Sequence, residues 1–479
     1  MMEKNGLIRF FEEHNRLLDP GALDLLLSQA HPLDLSRTIL EEDREDIVIT
    51  AKVVGRYLAG TRRPPEVPSF RMIAQGYSVP TRSAEPREAF HALFTDRFRR
   101  LHHLLRSRSE LKNIVPVSSV AGHVGEEVSL IGMVKEVRST KNRHLLLTLD
   151  DPSGETTVLV PADSPQSKEP FLPDEVVGLR LWVSKEEGKF ARVKEVVRPG
   201  LSGGRTSGRS AKPSRTVFIS DLHVGSKMFL HDSWDQLTAF LRGESVNPEL
   251  AQEVRHVVIA GDLVDGIGIY PNQEKDLEIT DIIEQYREFG RRMREIPSTV
   301  QIVAIPGNHD AVCPAEPQPP LANELLKLLP PNLEVVGNPS TFALDGVVVE
   351  AYHGRGFDDI IPNIPSARYE RPTEVMKRML AMRHLSPIFG DKIPLAPLAR
   401  DGLVVDPVPD VLVTGHTHTS GEEVYRGVLL LNASAWIGET EYQRMRNVKP
   451  DPAQAYVVDL TNLGVTKLDF FGGPPKGAR

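Results

Sequence analysis

Residues 257–265 read VVIAGDLVD, a short apolar run that stops at a glycine and is followed by an aspartate. A continuous run of β-branched and other apolar residues is typical of a strand that is buried on both faces of a sheet. Gly261 lets the backbone turn sharply where the strand ends, so Asp262 is presented at its carboxyl end. The stretch therefore predicts an α/β fold whose buried sheet carries an acidic side chain at the end of a strand.

The same arrangement, an apolar run that ends in Asp, Asn or His, occurs at four further places: TVFISDLH (216–223), QIVAIPGNHD (301–310), VVVEAYHG (347–354) and VLVTGHTH (411–418). Each fragment alone is weak evidence, because a Gly-Asp pair is usually an ordinary strand end and a single histidine is often a hydrogen-bonded core residue. Open α/β sheets, however, bind ligands beyond the carboxyl ends of their strands. Five such fragments in one chain therefore predict that these side chains converge on one site.

The strand ends supply carboxylate, amide and imidazole groups. Across the five strand ends these groups belong to Asp221, His223, Asp262, Asp265, Asn308, His309, Asp310, His353, His416 and His418. Carboxylate and amide oxygens suit hard cations such as Mg²⁺ or Mn²⁺, whereas imidazole favours manganese, iron or zinc. We therefore expect a site for two divalent metal ions, with Mn²⁺ as the first choice and Mg²⁺, iron or Zn²⁺ as alternatives.

The chain divides into five segments along its length. Residues 1–60 have the apolar spacing of short helices and predict a small helical N-terminal module. Residues 61–86 are rich in Pro, Arg and Ser and predict a linker, and residues 87–199 predict a helix followed by a β barrel. Residues 200–214 are rich in Gly and Ser with interspersed basic residues and predict a flexible basic linker. Residues 215–479 form the domain that carries the strand-end residues.

The segment 87–199 leaves more than one interpretation open. Its helix places Phe90, Phe94 and Phe98 at helical spacing, with arginines over the remaining surface. It is either a helix that contacts phosphate or a partner, or a packing helix with a solvated basic face, the commoner case for a charge run. The strands and turns that follow resemble an OB-fold. Because they offer few aromatic side chains on which bases could stack, we expect a structural barrel rather than a single-strand binding surface.

The composition is that of an ordinary globular protein. Hydrophobic residues make up 40% of the 479 and charged residues 25%, and no apolar run approaches the roughly 20 residues that span a bilayer, so we expect no membrane partner. Cys313 is the only cysteine, which leaves no intrachain disulfide and fits a cytoplasmic location. The net charge of −8 has the wrong sign for a protein that coats nucleic acid alone, and it favours a subunit of a larger assembly.

The ordered set of strand-end residues resembles that of the calcineurin-like metallophosphoesterases, over residues 215–475. Two further segments, HGRGFDD (353–359) and NASAW (432–436) with TEYQ (440–443), are similar to signatures of the small subunits of archaeal family D DNA polymerases. The order of helical module, barrel and metal-binding domain is similar to those subunits as well. The resemblance implies an α/β two-sheet sandwich flanked by helices, preceded by an OB-fold barrel and a small helical N-terminal region.

The resemblance also implies roles for individual residues. Two groups of three ligands would share one bridging carboxylate: Asp221, His223 and His418 would hold the first cation, Asn308, His353 and His416 the second, and Asp262 would bridge them. His309 is expected to stabilise or protonate the leaving oxygen, and Asp310 is expected to orient His309. Asp265 is expected to be a structural hydrogen-bond acceptor at its turn.

The implied activity is a 3′-to-5′ proofreading exonuclease that acts on DNA 3′ ends, as the small subunit of a DNA polymerase whose large subunit is its partner. Two alternatives stay open: a non-catalytic scaffold that anchors the large subunit, and a stand-alone metallophosphatase, which would need neither the barrel nor the N-terminal helices. The segment Lys467–Phe471 is vaguely similar to a sliding-clamp-binding peptide. It lacks the expected glutamine, and a last core strand fits it better.

Overall fold

The computed structural model describes most of the chain: residues 4–14, 16–28, 32–42, 48–58, 68–78, 85–186, 190–201, 203–245, 247–439, 444, 449–472 and 476–477. The segment TEYQ (440–443) lies outside the described residues. The chain divides into two compact units, Met1–Val67 and Pro68–Arg479. Within the described ranges, none of the helices combines the length and the apolar composition needed to cross a membrane.

The first unit is a small helical module, as its sequence predicts. Its elements are α1 (Lys4–Glu13), β1 (Leu17–Leu18), α2 (Pro20–Leu27), α3 (Pro32–Glu42), β2 (Val48–Ile49) and α4 (Ala51–Leu58), with β1 and β2 paired in parallel. The Asp19 carboxylate caps α2 by accepting from the backbone N–H groups of Gly21 and Ala22. Its second oxygen accepts from Ala51 N at 2.7 Å. One aspartate therefore ties the start of α2 to the start of α4.

The second unit contains a closed barrel of five strands. It begins with β3 (Phe70–Gln75) and α5 (Pro86–Arg106), and the barrel strands are β4 (Glu127–Ser139), β5 (Leu145–Asp151), β6 (Gly154–Val160), β7 (Val176–Trp182) and β8 (Ala191–Val197). Their order around the barrel is β4-β5-β6-β8-β7, and all pairs are antiparallel except β6 with β8. Alternate apolar side chains such as Leu147 and Leu149 fill the interior. The further assignment of this barrel to the OB-fold stays a prediction.

Two mixed β-sheets form the rest of the second unit. The strands are β9 (Arg215–Ile219), β10 (Val254–Ala260), β11 (Gln301–Ile305), β12 (Leu333–Val335), β13 (Ser340–Leu344), β14 (Val347–Ala351), β15 (Val411–Thr414), β16 (Gly421–Tyr425), β17 (Val428–Asn432), β18 (Gln454–Asp459), β19 (Gly464–Asp469) and β20 (Lys476–Gly477). The helices are α6 (His231–Leu241), α7 (Pro248–Gln252), α8 (Ile282–Met293), α9 (Asn323–Leu326), α10 (Phe357–Asn363) and α11 (Pro372–Met382). The strand orders are β12-β11-β10-β9-β18-β19-β20 and β16-β17-β15-β14-β13-β3.

The sheets pack face to face, and helices cover both outer faces. Side chains along β10 alternate: Val258 and Ala260 lie in the core between the sheets, whereas Val257 and Ile259 lie in the core that the first sheet shares with α6 and α8. The outer face of the second sheet packs in the same way against α10 and α11. Strands buried on both faces need continuous apolar runs, which explains the sequence pattern. The layers agree with the predicted sandwich flanked by helices.

Helix α5 turns one of its arginines into the protein rather than toward solvent. Arg97 is fully buried, and its Nε donates to Asp401 Oδ2 at 2.6 Å. The same carboxylate oxygen lies 3.0 Å from His384 Nε2, so the buried positive charge has a buried counter-ion. Arg99, two residues further along the helix, is 76% exposed. Arg100 is 14% exposed and donates to the Asp401 carbonyl, so α5 is a packing helix, as one of the two interpretations has it, and its basic face is solvated only in part.

Both predicted linkers contain ordered structure, so those predictions are corrected. Within residues 61–86 lies β3, which pairs antiparallel with β13 as the last strand of its sheet. An edge strand needs only a partly apolar sequence, so it is easily taken for a linker. Within residues 200–214, Arg205 Nη2 donates to Asp410 Oδ1 at 2.5 Å and Gly208 N donates to the same oxygen at 2.8 Å. The basic side chain thus pins this segment instead of leaving it flexible.

The segment Lys467–Phe471 belongs largely to β19, which pairs antiparallel with β18. Leu468 and Phe470 are fully buried. A clamp-binding peptide would have to present such apolar side chains to a partner. The structure therefore agrees with a core strand, which one further short strand, β20, follows, and not with a clamp-binding peptide.

Candidate metal centre

The candidate ligands follow directly after the carboxyl ends of five strands, as their sequence pattern predicts. Strands β9, β10 and β11 of the first sheet end at Ile219, Ala260 and Ile305, and β14 and β15 of the second end at Ala351 and Thr414. Within each sheet these strands run parallel, so their ends lie at one edge. The polar side chains of both sheets therefore meet beyond the carboxyl ends of these strands.

The backbone at this edge is strained at five candidate ligands. Positive φ angles occur at Asp221 (53°), His223 (49°), Asp262 (49°), His416 (68°) and His418 (56°). Side chains other than glycine enter this left-handed region at a cost of about 1–3 kcal/mol each, and such residues cluster at functional sites. The turn at Asp221-Leu222-His223 brings the aspartate and the histidine into one group of possible ligands.

One group of ligand atoms consists of Asp221, His223 and His418. The His418 Nε2 atom lies 3.3 Å from Asp221 Oδ1, and the two imidazole Nε2 atoms lie 3.2 Å from each other. His223 Nε2 lies 3.8 Å from the same aspartate oxygen. Ligand atoms at about 2.1 Å from one cation are roughly 3 Å apart, so this spacing fits a shared metal ion.

A second group consists of Asp262, His353 and His416. His353 Nε2 lies 3.3 Å from Asp262 Oδ2 and 3.1 Å from Asn308 Oδ1, which brings the predicted amide ligand into the group. Asp262 Oδ2 also lies 3.6 Å from His223 Nε2, a member of the first group. A third group, His223, Asp262 and His309, shares one member with each of the first two, so Asp262 stands between them, where a bridging carboxylate would have to be.

Three histidines of this centre have one ring nitrogen in a supporting contact. His223 Nδ1 lies 3.0 Å from Asp265 Oδ1, and His353 Nδ1 lies 2.9 Å from Ala260 O. His416 Nε2 lies 3.0 Å from Asp358 Oδ2. Such contacts fix the ring orientation and the nitrogen that carries the proton. Asp265 is thus an acceptor, as expected, and its partner is the ring of a candidate ligand, His223. The contact of Asp358 was not predicted, because no spacing in the sequence pairs it with His416.

Burial and charge act in opposite directions on the pKa values in this centre. Burial raises the pKa of Asp221, but hydrogen bonds from His223 and His418 outweigh it and hold the pKa below its ordinary value. Burial lowers the pKa of His353, but the charges of Asp262 and Asp221 raise it to about 9. Ionised carboxylates in a buried pocket need positive charge nearby, which divalent cations supply. The mixed set of oxygen and imidazole donors fits such cations.

The two predicted catalytic residues lie at the centre in different ways. His309 Nδ1 lies 2.7 Å from Asp265 O, and its backbone N–H donates to Asp262 Oδ1 at 2.8 Å. Asp310, in contrast, accepts from Gly307 N, Leu263 N and the Tyr286 hydroxyl. Among the bonds of the described residues, none joins the Asp310 carboxylate to the His309 ring. These bonds join the loops that carry Asp262 and Asn308, and the expected orienting role of Asp310 stays a prediction.

The segment NASAW supports the turn that carries His416 and His418. Asn432 is buried; its Oδ1 accepts from Thr414 Oγ1 at 2.6 Å, and its Nδ2 donates to Thr417 Oγ1 at 2.7 Å. The backbone N–H of Trp436 donates to the backbone carbonyl of Asp221 at 2.9 Å. One segment thus fixes the backbone at two of the ligand turns.

Comparisons with known proteins cover nearly the whole chain. Residues 216–422 match the family model of the B-subunits of DNA polymerases alpha and epsilon. A protein named DNA polymerase II small subunit from Methanothermobacter thermautotrophicus is 42% identical over 386 residues, which are 79% of this chain and 78% of that protein. The protein of the same name from Thermoplasma acidophilum is 33% identical over 472 residues, covering 98% of this chain and 93% of its own.

Solved structures give a weaker likeness. Vacuolar protein sorting 29 from Cryptosporidium parvum covers 56% of this chain and 96% of its own, at 17% identity and a TM-score of 0.30. A structure described as a novel archaeal phosphodiesterase covers 53% of this chain and 98% of its own, at 13% identity and a TM-score of 0.27.

Proposed function

This chain belongs to the family of archaeal DNA polymerase II small subunits, and on that premise we propose that it is the 3′-to-5′ exonuclease subunit of its polymerase. The substrate is the terminal phosphodiester bond of a DNA 3′ end. The partner is the polymerase large subunit, since the relatives are named as small subunits. The stand-alone phosphatase has no observation in its favour.

The observation that carries this proposal is the intact ligand set. The first two groups of Asp and His side chains are joined through Asp262, and Asn308 adds an amide oxygen. A scaffold subunit would have no use for five candidate ligands held in strained backbone conformations. Strain of this kind is retained where the chemistry needs it.

Each group of side chains has its own task. Asp221, His223 and His418 would hold one divalent cation, and Asn308, His353 and His416 the other, with Asp262 between them. When bound, two such cations supply charge for the phosphate oxygens and lower the pKa of water toward neutrality. Asp265 and the Ala260 carbonyl keep the rings of His223 and His353 in place.

His309 is the side chain that would act on the substrate directly. Its Nδ1–H donates to the Asp265 carbonyl, so its Nε2 is the nitrogen that faces a reacting group. The Asp265 carboxylate lies 3.6 Å from the same Nδ1. A protonated His309 can give the Nε2 proton to the oxygen that leaves the scissile phosphate.

The test is manganese-dependent shortening of 5′-labelled single-stranded and 3′-mismatched DNA, by the chain alone and together with the large subunit. We expect stepwise shortening from the 3′ end that His416→Ala abolishes. His123→Ala, a histidine on a barrel turn, is the matched control and should behave as the wild type. Early release of the 5′ label would contradict the polarity. Intact DNA after incubation with both subunits would replace this proposal with the scaffold role.

A further inference from the structure

Asp358 is an acidic side chain that contacts a candidate ligand without belonging to the predicted ligand set. It lies on α10, and its Oδ2 is 3.0 Å from His416 Nε2. The Tyr369 hydroxyl donates to the other oxygen, Oδ1, at 2.7 Å. Both carboxylate oxygens are therefore engaged, one by a tyrosine and one by an imidazole. The side chains of Asp358 and His416 are 28% and 16% exposed, so the contact lies at the rim of the centre.

The backbone of His416 is fixed independently of its ring. Its N–H donates to both carboxylate oxygens of Asp221, at 3.1 and 2.9 Å, and its φ is 68°. These bonds place the Cα atom but leave the imidazole free to rotate about its side-chain torsions. The contact with Asp358 is a polar contact that favours one ring orientation.

The same contact determines which ring nitrogen can bind a cation. An aspartate accepts hydrogen bonds, so the proton of the neutral His416 ring resides on Nε2. Nδ1 is then the nitrogen with a lone pair for the group formed with Asp262 and His353. The rings of His353 and His416 are 5.2 Å apart, which places both next to that group.

A comparison with the other ligands supports this reading. His223 has a carboxylate partner in Asp265, and His353 has a backbone carbonyl partner in Ala260. Asp358 gives His416 the same kind of partner, and it comes from a helix rather than from a ligand turn. Partners of this kind change metal affinity by about 10–100-fold when they are removed.

We propose that Asp358 is a positioning residue that holds the Nε2–H of His416 and so directs Nδ1 to the cation shared with Asp262 and His353, while Tyr369 holds Asp358. The proposal rests on the proposed function only in requiring a divalent cation at this centre. This role makes α10 part of the metal-binding machinery, although the helix contributes no ligand.

The test measures Mn²⁺ binding to the full chain without DNA, by titration calorimetry and by bound metal per chain. We expect Asp358→Ala to weaken one of the two manganese sites about 10–100-fold and to leave the other unchanged. Asp358→Asn keeps an acceptor oxygen and should lose less manganese affinity at this site, and Tyr369→Phe should lose the least. Asp391→Asn, an exposed aspartate near the same helix, is the matched control and should bind as the wild type.

A second readout separates positioning from simple stabilisation. Nitrogen NMR of ¹⁵N-histidine-labelled, metal-free protein reports which ring nitrogen of His416 carries the proton. We expect the Nε2–H form in the wild type and a mixture of both forms in Asp358→Ala. Wild-type affinity at both sites in Asp358→Ala, or an unchanged NMR signature, would overturn the proposal. Because these readouts need no DNA, a protein that binds manganese normally but degrades nothing would contradict the exonuclease and leave this inference standing.

Discussion

His309 lies in the candidate metal centre, where its Nδ1 contacts the Asp265 carbonyl and its ring packs edge-on against that of His223, with 4.5 Å between the ring centroids. Its side chain is 16% exposed, whereas that of neighbouring His223 is 2% exposed. We expect His309→Ala to leave manganese binding nearly unchanged and to lower turnover of labelled DNA about 10²–10⁴-fold, the usual contribution of a positioned acid or base. Metal content and kcat are measured on one preparation. A kcat close to that of the wild type would remove His309 from the chemistry.

Glu350 on β14 is a buried acid whose ionisation makes the stability of the fold depend on pH. Among the described side chains, its Oε2 atom is without a hydrogen-bond partner. Burial raises the pKa of its carboxyl to about 8, although Arg383 and Arg100 oppose the shift. Between the ordinary value of 4.5 and about 8, the folded chain keeps a proton that the unfolded chain has lost. Stability therefore falls as pH rises through this window, by at most about 1.4 kcal/mol per pH unit.

We expect Glu350→Gln to be more stable than the wild type at the upper end of this window and to lose the part of the slope that Glu350 contributes, because an amide has no charge to bury. Urea unfolding at a series of pH values between about 5 and 8 measures the free energy of unfolding. Glu422→Gln, on an exposed position of β16, should keep the slope of the wild type. The same slope in Glu350→Gln would show that Glu350 is ionised in the folded chain.

At the scale of residues, the sequence predicts positions better than contacts. The rule that ligands follow strand ends places Asp262 and its counterparts correctly, because it depends only on local pattern and on sheet geometry. It cannot show where a side chain points within a turn, so it does not reveal that Asp310 contacts Tyr286 rather than His309. Nor can it show a partner far along the chain, such as the one that His416 finds in Asp358.

Helix α5 offers a test at the scale of elements. Arg97→Ala would leave Asp401 as a buried carboxylate without its arginine, which costs about 3–5 kcal/mol of unfolding free energy. Arg99→Ala on the same helix removes only an exposed pair with Asp96 and should cost less than about 1 kcal/mol. Urea unfolding of the two variants checks the difference. Equal losses would show that the Arg97 ion pair contributes little to the attachment of α5.

Elements with strong periodicity were predictable and those without it were not. The five apolar runs match β9, β10, β11, β14 and β15, and Phe90 to Phe98 lie in α5 as their spacing predicts. The burial of Arg97 was not predictable because its partner Asp401 is 304 residues away. The strand β3 was not predictable because it has partly buried side chains and lies beside Pro-rich sequence, which is typical of both linkers and edge strands.

At the scale of the whole molecule, β3 completes a sheet whose other strands lie far beyond the barrel in sequence. A chain that begins at Pro68 keeps this strand, and a chain that begins at Glu85 lacks it. We expect the shorter chain to unfold at a lower temperature and to aggregate, because the hydrogen-bonding edge of β13 becomes exposed. Thermal unfolding and size-exclusion chromatography compare the two chains. Identical behaviour would show that β3 contributes nothing to the stability of the sheet.

The order of helical module, barrel and metal-binding domain was predictable from the resemblance. The predicted domain boundary at residue 215, however, does not match the structure, because earlier segments also belong to the metal-binding domain. Composition marks residues 61–86 and 200–214 as linkers because Pro, Gly and Ser are common there. The structure instead assigns β3 to the six-stranded sheet and pins Arg205 against Asp410. The barrel is therefore inserted within the sequence of the sandwich, and no local signal in the chain reveals that.

The pairing of β3 with β13 also sets an order of events during synthesis. The Ser69 N–H and the Asp345 carboxylate, bonded at one end of this pair, are 276 residues apart. At the usual speed of a ribosome, the first strand waits roughly 15–60 s for its partner to be translated. The barrel emerges complete within that interval. The nascent chain must therefore keep an unpaired strand soluble while it builds another fold, and the sheet closes only after the barrel has left the exit tunnel.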